Sequence, residues 1–272
     1  MKKVVITGST RGIGKGLAEC FLKRGCAVVI SGRSQAAVDE VCESLQVTYG
    51  KDKVTGKACE ITQVTELQGL WDHAIQVFGS VNIWINNAGV SIERKPLSEQ
   101  SADDVMRIVQ TNLGGLLLAN KVVLAAMKEQ GFGQIWNMEG FGSTGQMAIG
   151  MVPYGATKRA VNYVNLALQK EVKNSNVQVS RLSPGIVVTD LLVGDYDLTS
   201  PEWQKTKKIL NILGDDVETV TPFLVDGVLA SKKSGDTVAW LTTGKAFRRF
   251  LTAGFNKRDL FAKYEAECVP GN

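Results

Sequence analysis

Apolar positions along the chain follow two alternating patterns. Short, almost continuous runs rich in Val and Ile, such as VVIT after Lys3 and AVVIS from Ala27, indicate strands that are buried on both faces. Longer stretches with helical spacing of apolar residues separate these runs. The predicted strands are Lys3–Thr7, Ala27–Ser31, Val54–Glu60, Val81–Asn86, Gly133–Met138, Val177–Ser183 and Thr237–Leu241. The predicted helices are Gly12–Lys23, Gln35–Tyr49, Val64–Phe78, Ser101–Gln130, Tyr154–Lys173 and Thr219–Ala230.

Regular alternation of strands and helices predicts an α/β fold with a doubly wound, Rossmann-type parallel sheet and helices on both faces. The 272 residues suit a single domain over 1–272, because two α/β domains need a longer chain. Two segments depart from the pattern. Residues 131–150 are rich in glycine, which is typical of a loop that opens toward a site. Residues 191–222 form a long insertion, which we predict to be a lid over the substrate.

Composition excludes several classes of function. The formal net charge of +4 is too small to indicate nucleic-acid binding. The five cysteines form no C-x-x-C pair, which favours a reducing compartment, and a single histidine, His73, excludes a metal site built from several histidines. No metal is expected. With no 18-residue apolar run, we expect no signal, transit or transmembrane segment and a cytoplasmic location.

A glycine-rich loop, TGSTRGIG, joins the first predicted strand to an amphipathic helix. Glycine lets the backbone turn and approach a pyrophosphate, and a helix N-terminus supplies unpaired amides and the positive end of the helix dipole. A glycine-rich turn without a ligand is the alternative. The predicted dinucleotide-binding residues here are Gly8, Ser9, Thr10, Arg11, Gly12, Ile13 and Gly14.

Arg33 follows the second predicted strand, where an NAD-preferring site has an acid that binds the ribose 2′-hydroxyl. Together with Arg11, it favours a 2′-phosphate, so the expected cofactor is NADPH, with Ser34 beside it. Alternatively, both arginines are solvated surface charges. Glu60, after the third predicted strand, is suited to contact the adenine edge. The residues that end the fourth strand complete the predicted set: Asn87, Ala88 and Gly89.

Tyr154 and Lys158 lie four residues apart at the start of a predicted helix, so their side chains share one face. A phenol has an ordinary pKa near 10. A neighbouring ammonium favours the phenolate and eases proton transfer. Taken alone, this spacing fits a surface tyrosine and lysine equally well.

The motifs TGSTRGIG, NNAG, Asn112, Tyr154-x-x-x-Lys158 and Ser183-Pro184-Gly185 together resemble the short-chain dehydrogenase/reductase family, in the same order and over residues 3–241. The resemblance implies a seven-stranded sheet and a dimer or tetramer. It implies that Tyr154 is the general acid, that Lys158 lowers its pKa and binds the nicotinamide ribose, and that Asn112 helps to hold a relay water. It also implies nicotinamide-side contacts from Pro184, Gly185, Val187 and Thr189.

One departure from the family concerns the serine that usually follows the fifth strand. Here the segment is NMEGFGS, and Ser143 lies eleven residues before Tyr154. Either Ser143 binds the substrate oxygen, or the loop uses another donor.

The segments NMEG-x-GS, YGATKR and SPG-x-V-x-TDLL resemble the chlorophyll(ide) b reductase group of this family. That resemblance implies a small-molecule carbonyl substrate, the 7-formyl group of chlorophyll(ide) b, which is reduced to a 7-hydroxymethyl group. The alternatives are a 3-oxoacyl or other ketone reductase and a non-catalytic NADP(H)-binding sensor or scaffold. A flat ring needs a wide apolar mouth at the site. The residues that could form it are Phe141, Met147, Met151, Leu191, Leu192 and Trp203. Alternatively, these residues only pack the lid against the body of the domain.

The C-terminal extension, residues 245–272, mixes aromatic and basic side chains. Such a segment suits peripheral contact with a membrane surface. We favour instead a tail that docks on its own chain or on a sister subunit.

Overall fold

A parallel sheet forms the centre of the molecule. The structure is a computed structural model and describes residues 1–255 and 257–268. Its strands are β1 Lys3–Ile6, β2 Ala27–Ile30, β3 Val54–Gly56, β4 Ile83–Asn86, β5 Gly133–Met138, β6 Val177–Ser183, β7 Val187–Val188, β8 Asp215–Asp216 and β9 Thr237–Ala239. In this part of the chain the main sheet has seven strands in the order β3-β2-β1-β4-β5-β6-β9, and every pair is parallel. The predicted Rossmann-type sheet is confirmed.

Helices connect these strands. They are α1 Gly12–Lys23, α2 Gln35–Tyr49, α3 Val64–Phe78, α4 Ala102–Val109, α5 Leu116–Gln130, α6 Val152–Glu171, α7 Asp190–Val193, α8 Pro201–Leu213, α9 Val217–Ala230, α10 Thr243–Thr252 and α11 Ala262–Cys268. The first three have the bounds predicted from the sequence. Pro153 in the first turn of α6 lets that helix begin two residues before Tyr154, because proline is preorganised for a helix start.

Alternate residues of the central strands pack into two different layers. Val4 and Ile6 of β1 are fully buried in a cluster with side chains of α1 and α9. Val5 belongs to a second cluster, with side chains of α3 and α5. Each such side chain stabilises the fold by about 1.5–3 kcal/mol on burial. Burial on both faces explains why these strands are continuous apolar runs.

Strand β3 ends at Gly56, so the prediction that it extends to Glu60 is wrong. It lies at the edge of the sheet and has only β2 as a neighbour. Beyond Gly56 the chain still follows β2, as in the 2.8 Å bond from the Cys59 amide to the Gly32 carbonyl, but it forms no regular ladder.

The long helix predicted over Ser101–Gln130 is interrupted by a π-helical turn at Gln110–Gly115, between α4 and α5. Such turns are frequent at functional sites. By length and composition, Ala102–Gln130 is the one described helical run suited to cross a membrane, with a mean hydropathy of 1.3 in its most apolar window. Half of that window is buried inside the fold, as in a core helix, so it carries no argument for a membrane span.

The segment predicted as a lid contains α7, α8 and β8. Strand β8 pairs with β7 in a separate two-stranded sheet, which was too short for the sequence pattern to predict. From Val217 onward the chain belongs to α9, and Val220 of that helix is fully buried in the core. The inserted structure therefore ends before Val217.

A network of buried amides lies behind the carboxyl ends of β4 and β5. Asn86 accepts a 2.8 Å bond from the indole of Trp84 and donates one of 2.8 Å to Asn137. Asn137 also accepts a 3.0 Å hydrogen bond from Asn120 of α5 and donates one of 2.9 Å to Asn165 of α6. Buried amides are expensive unless they are paired, so this network fixes α5 and α6 relative to the sheet.

Candidate active site

The glycine-rich loop between β1 and α1 lies against the loop that follows β4. A Cβ atom on Gly8 would lie 2.9 Å from the Cα atom of Ala88, and one on Gly14 would overlap the Gly8 carbonyl. Gly8 also has a φ of +64°, which favours glycine. The Asn87 side chain donates bonds of 3.0 Å to the carbonyls of Thr7 and Gly8. The two predicted cofactor segments are thus fastened together.

The end of β2 is tied to the same loop. The Ser31 amide donates a 2.9 Å bond to the Ser9 hydroxyl, and the Ser9 amide donates one of 2.7 Å to the Ser31 carbonyl. A Cβ atom on Gly32 would lie 2.8 Å from Cγ2 of Thr10. The residues that follow β2 are therefore held directly beside the glycine-rich loop.

Arg11 and Arg33 are both exposed at this edge. Neither guanidinium group has a hydrogen bond or an ion pair with any residue in 1–255 or 257–268. Arg11 is the N-cap of α1 but makes no side-chain cap, and Ile13 in the first turn packs on the core. Ser34 caps α2 by accepting a 3.4 Å bond from the Ala37 amide. Unpaired helix amides and two free guanidinium groups fit a phosphorylated dinucleotide.

Glu60 lies beyond the end of β3, in the turn before α3. Its carboxylate accepts bonds of 3.1 Å from both the amide and the hydroxyl of Thr62. The Glu60 amide donates 2.7 Å to Glu66. The side chain stabilises this turn, and its predicted contact with adenine stays a prediction.

The segment after β6 lies next to the glycine-rich loop. A Cβ atom on Gly12 would lie 3.4 Å from Cγ2 of Thr189. Thr189 is the N-cap of α7, and its hydroxyl makes no cap hydrogen bond. The other predicted nicotinamide-side residues lie on the same segment between β6 and α7, and their contacts with the cofactor stay predictions: Pro184, Gly185 and Val187.

Asn112 lies in the π-helical turn and is only 2% exposed. Its side chain accepts a 2.8 Å bond from the Val90 amide and donates one of 2.8 Å to the Val90 carbonyl. A Cβ atom on Gly89 would lie 3.2 Å from its Oδ1 atom. Asn112 therefore holds the loop after β4 in place.

Tyr154 and Lys158 meet at the carboxyl end of β5. A Cβ atom on Gly140 would lie 2.6 Å from the Tyr154 hydroxyl and 3.1 Å from Cε of Lys158. The Lys158 ammonium donates a 3.2 Å bond to the Met138 carbonyl and lies 5.7 Å from the centroid of the Tyr154 ring. The predicted pair is thus assembled against a glycine that leaves room for the phenol.

Burial dominates the electrostatics of this pair. It raises the pKa of Tyr154 to about 12, with Asp195 adding to the shift and Arg94 opposing it. Burial lowers the pKa of Lys158 to about 8, and Glu139 opposes that shift. Lys158 is not among the causes of this shift, so its predicted lowering of the Tyr154 pKa stays a prediction. A phenol with such a pKa stays protonated at neutral pH, which is the form that donates a proton.

Ser143 is 3% exposed and lies in the loop after β5, where the sequence departs from the family pattern. Its amide donates a 3.1 Å hydrogen bond to the Gly140 carbonyl, and its carbonyl accepts one of 3.1 Å from the Arg159 guanidinium group. Its hydroxyl has no hydrogen bond to a residue that the structure describes. A Cβ atom on Gly142, whose φ is +98°, would lie 2.7 Å from the Gly155 Cα atom. The backbone of this loop is fixed tightly on α6, and the role of the Ser143 hydroxyl stays a prediction.

Two buried acids near the site were not predicted. Glu139, at the end of β5, is 3% exposed, accepts 3.0 Å from Asn162 and lies 3.4 Å from the Arg181 guanidinium. The only signal in the sequence was an acid directly after a buried strand, in NMEG. Asp195, in the insertion, is 8% exposed and accepts a 2.6 Å bond from the Ser91 hydroxyl. No spacing pattern links these two segments.

The residues predicted to form an apolar mouth divide into two groups. Phe141, Met147 and Leu191 are exposed by 37%, 93% and 42%. Met151 is buried, and Trp203 is 1% exposed, with Phe261 packed edge-on at 5.0 Å between ring centroids. Trp203 therefore packs the insertion against the C-terminal extension and offers no surface to a substrate. Leu192 belongs to the same packed cluster.

The described part of the C-terminal extension packs on the inserted segment. Arg249 of α10 and Arg258 both pair with Asp215, at 2.7 Å and 2.9 Å. Burial alone would raise the pKa of Asp215, but hydrogen bonds from Trp240, Arg249 and Arg258 hold it below its ordinary value. The tail thus docks on its own chain, while Phe247 remains 65% exposed. Residues 256 and 269–272 lie outside the described residues.

Comparison with known proteins agrees with this geometry. The model of the short chain dehydrogenase family matches residues 2–197. A protein of Arabidopsis thaliana named probable chlorophyll(ide) b reductase NYC1, chloroplastic, is 34% identical over 98% of this chain. The chain spans only 57% of that protein's length. The Arabidopsis chlorophyll(ide) b reductase NOL, chloroplastic, is 36% identical over 92% of this chain and 72% of its own length. The predicted cytoplasmic location of this chain stays a prediction.

Solved structures share the fold. Serine dehydrogenase in a closed form with NADP⁺ superposes with a TM-score of 0.77, over 89% of this chain and 95% of its own, at 22% identity. The family match covers strands β1 to β7 and the Tyr154–Lys158 pair. The chain belongs to the short-chain dehydrogenase family.

Proposed function

We propose that this chain is an NADPH-dependent carbonyl reductase whose substrate is the 7-formyl group of chlorophyll(ide) b. The observation that carries the reductase class is the pairing of Tyr154 and Lys158 at the end of β5, beside a loop shaped for a dinucleotide. The names of the two plant relatives support the choice of substrate. We further propose one reductase domain over 1–272, with the inserted segment as its lid.

NADPH fits the residues at the glycine-rich loop. Gly8 and Gly14 have no space for a side chain, so the backbone there is free to approach a pyrophosphate. Arg11 and Arg33 have no partners among the described residues, and two free guanidinium groups on one edge match a 2′-phosphate. When bound, NADPH supplies the hydride.

In the proposed reaction an aldehyde, NADPH and a proton give an alcohol and NADP⁺. Tyr154, protonated at neutral pH, donates its proton to the carbonyl oxygen as charge develops there. Lys158 lies close enough to stabilise the phenolate that remains, and its own pKa of about 8 leaves most of it charged at pH 7. Asn112 holds the loop after β4 in place through its two bonds with Val90.

Exposed apolar side chains around the loop after β5 support a wide, flat substrate. Phe141, Met147 and Leu191 expose apolar surface in the segments around this loop. Gly140 and Gly142 let the loop lie directly against Tyr154 and α6, because a Cβ atom on either would overlap the Tyr154 hydroxyl or the Gly155 backbone. A planar ring needs apolar surface of this kind.

The test is NADPH oxidation by the purified chain with chlorophyllide b, an acetoacetyl thioester and small aldehydes in parallel, with the pigment products separated by chromatography. We expect the 7-hydroxymethyl product. Brisk reduction of the thioester with no change in chlorophyllide b would replace the pigment assignment by the ketone alternative. NADPH binding without any turnover would favour the non-catalytic alternative. That the chain forms a dimer or tetramer also stays a prediction. Light scattering tests it by measuring the mass of the particle in solution.

A further inference from the structure

The loop that follows β4 carries a cation, Arg94, whose N–H groups have no hydrogen-bond or ion-pair partner among the described residues. The Arg94 guanidinium group lies 4.4 Å from the centroid of the Tyr196 ring. Its Nε atom is buried and has no hydrogen-bond partner. No hydrogen bond or ion pair joins its other nitrogens to any residue of 1–255 or 257–268. A partly buried guanidinium group with unmet donors costs free energy, so the position calls for a ligand.

Arg94 lies among the segments that surround Tyr154. A Cβ atom on Gly150 would lie 3.1 Å from the Arg94 backbone, so the loop before α6 contacts the arginine. Tyr196, on which the guanidinium stacks, lies in the inserted segment. The charge of Arg94 is close enough to influence both Tyr154 and Asp195. The cation therefore belongs to the substrate side of the site.

Asp195 is the acid near Arg94, but it does not neutralise the arginine. Its Oδ2 atom is taken by the Ser91 hydroxyl at 2.6 Å. No ion pair within 4.0 Å joins the two residues in the described structure. The Cζ atom of Arg94 lies over the Tyr196 ring, and the guanidinium N–H groups have no hydrogen-bond acceptor among the described residues.

We propose that Arg94 is an anion-binding subsite that takes a carboxylate carried by the carbonyl substrate. A guanidinium fork binds a carboxylate through two parallel hydrogen bonds, and it binds an ester far less well because the charge is lost. The inference rests on the proposed carbonyl reduction and narrows it to substrates that bear an acid. For the pigment it favours chlorophyllide b, a free acid, over chlorophyll b, in which that acid is esterified.

Two matched substrate pairs test the subsite. The first is 4-formylbenzoate and its methyl ester; the second is chlorophyllide b and its methyl ester. We expect kcat/KM to favour the acid over the ester by about ten- to a hundredfold, the worth of a hydrogen-bonded charge pair. Arg94→Met should remove that preference, and Arg94→Lys should keep part of it.

Lys95→Met is the matched control, because Lys95 is the adjacent residue and its exposed ammonium pairs with Glu93 at 2.7 Å. It should leave the acid-to-ester ratio unchanged. Equal NADPH affinity and circular dichroism in all variants would show that each is folded.

The outcomes separate the subsite from the pigment assignment. In the first outcome, the enzyme prefers 4-formylbenzoate to its ester, Arg94→Met abolishes that preference, and neither pigment is turned over. This result supports the subsite and rejects the pigment as the substrate. In the second outcome, acid and ester react at equal rates and Arg94→Met does not alter those rates. This result overturns the subsite, even if chlorophyllide b is reduced. If no aldehyde is turned over, binding decides. Calorimetry with 4-formylbenzoate should then show weaker binding to Arg94→Met, and equal binding overturns the proposal.

Discussion

The two edges of the site differ in how their polar groups are satisfied. At the cofactor edge, the loops after β1, β2 and β4 are joined to each other, as in the bonds of Asn87 to Thr7 and Gly8. At the substrate edge, the Arg94 guanidinium group has no hydrogen bond or ion pair within the described part of the chain, and the Asp195 carboxyl group is buried. A preorganised edge suits a ligand common to a whole family, whereas unpaired groups suit one that differs between members.

The same contrast governs the glycines. Gly8 and Gly14 are required because backbone from two loops lies against them. Gly140 is required because a reactive side chain, the Tyr154 phenol, lies against it. Substitution should therefore damage cofactor binding at the first edge and the chemical step at the second. Variants at the two edges therefore test whether binding and chemistry separate in this way.

The largest effect is expected at Tyr154. Tyr154→Phe keeps the ring and removes the proton donor, so kcat should fall by about a hundred- to ten-thousandfold while NADPH affinity stays unchanged. Tyr163→Phe is the matched control, since Tyr163 lies on the same helix and is 73% exposed. Steady-state kinetics and fluorescence titration with NADPH measure both quantities. Turnover retained in Tyr154→Phe would assign the proton to another group.

The cofactor edge is tested at Arg33. Arg33→Asp removes a charge-assisted contact and adds repulsion, so the preference for NADPH over NADH should fall by about a hundredfold or more. Because the substrate edge is untouched, kcat with saturating NADH should change little. Measuring kcat/KM with both cofactors checks this, and equal efficiency with the two cofactors in the parent enzyme would contradict the assignment.

Gly140 tests the substrate edge without removing a reactive group. A methyl group there would meet the Tyr154 hydroxyl at 2.6 Å and push it from its position. Gly140→Ala should lower kcat by about ten- to a hundredfold, since small displacements of reacting groups are costly. Gly155→Ala is the control, because a Cβ atom there meets nothing within 4 Å. Similar losses in both variants would mean a general effect on α6.

Sequence patterns predicted the cofactor edge better than the substrate edge, for a physical reason. The glycine-rich loop and NNAG are contiguous, and each adjoins a strand whose apolar run is unmistakable. The bounds of α1, α2 and α3 agree with prediction for the same reason. The contact between Ser91 and Asp195 joins residues 104 positions apart, and no local pattern encodes it.

Trp203 shows the limit of inference from residue type. An aromatic in an insertion suggests a substrate contact, yet Trp203 is buried with Phe261 and its indole donates 2.8 Å to Glu265. The tail that covers it lies about sixty positions away, so its burial depends on tertiary packing alone. The π-helical turn at Asn112 is similar, because helical periodicity alone predicts one unbroken helix.

The smallest expected effect, and the one most sensitive to pH, is that of Asp195 on the stability of the fold. Burial raises its pKa to about 6 from an ordinary value of 3.8, with Ser91 and Arg94 opposing the shift. A raised carboxyl pKa means that the folded state holds the proton more tightly than the unfolded state. Ionisation therefore costs stability fully above about pH 6, and the cost disappears as the pH falls toward 4.

Asp195→Asn should accordingly raise the free energy of unfolding at pH 8, by at most about 2 kcal/mol after allowance for solvent screening. The gain should vanish near pH 4. Asp197→Asn is the control of opposite sign, because hydrogen bonds from Thr199 lower the pKa of Asp197 and its ionised form is favoured in the fold. Urea unfolding at both pH values measures the difference. A gain in Asp195→Asn that is equal at pH 8 and pH 4 would mean that the carboxylate is not strained, and the contrast between the two edges would then rest on Arg94 alone.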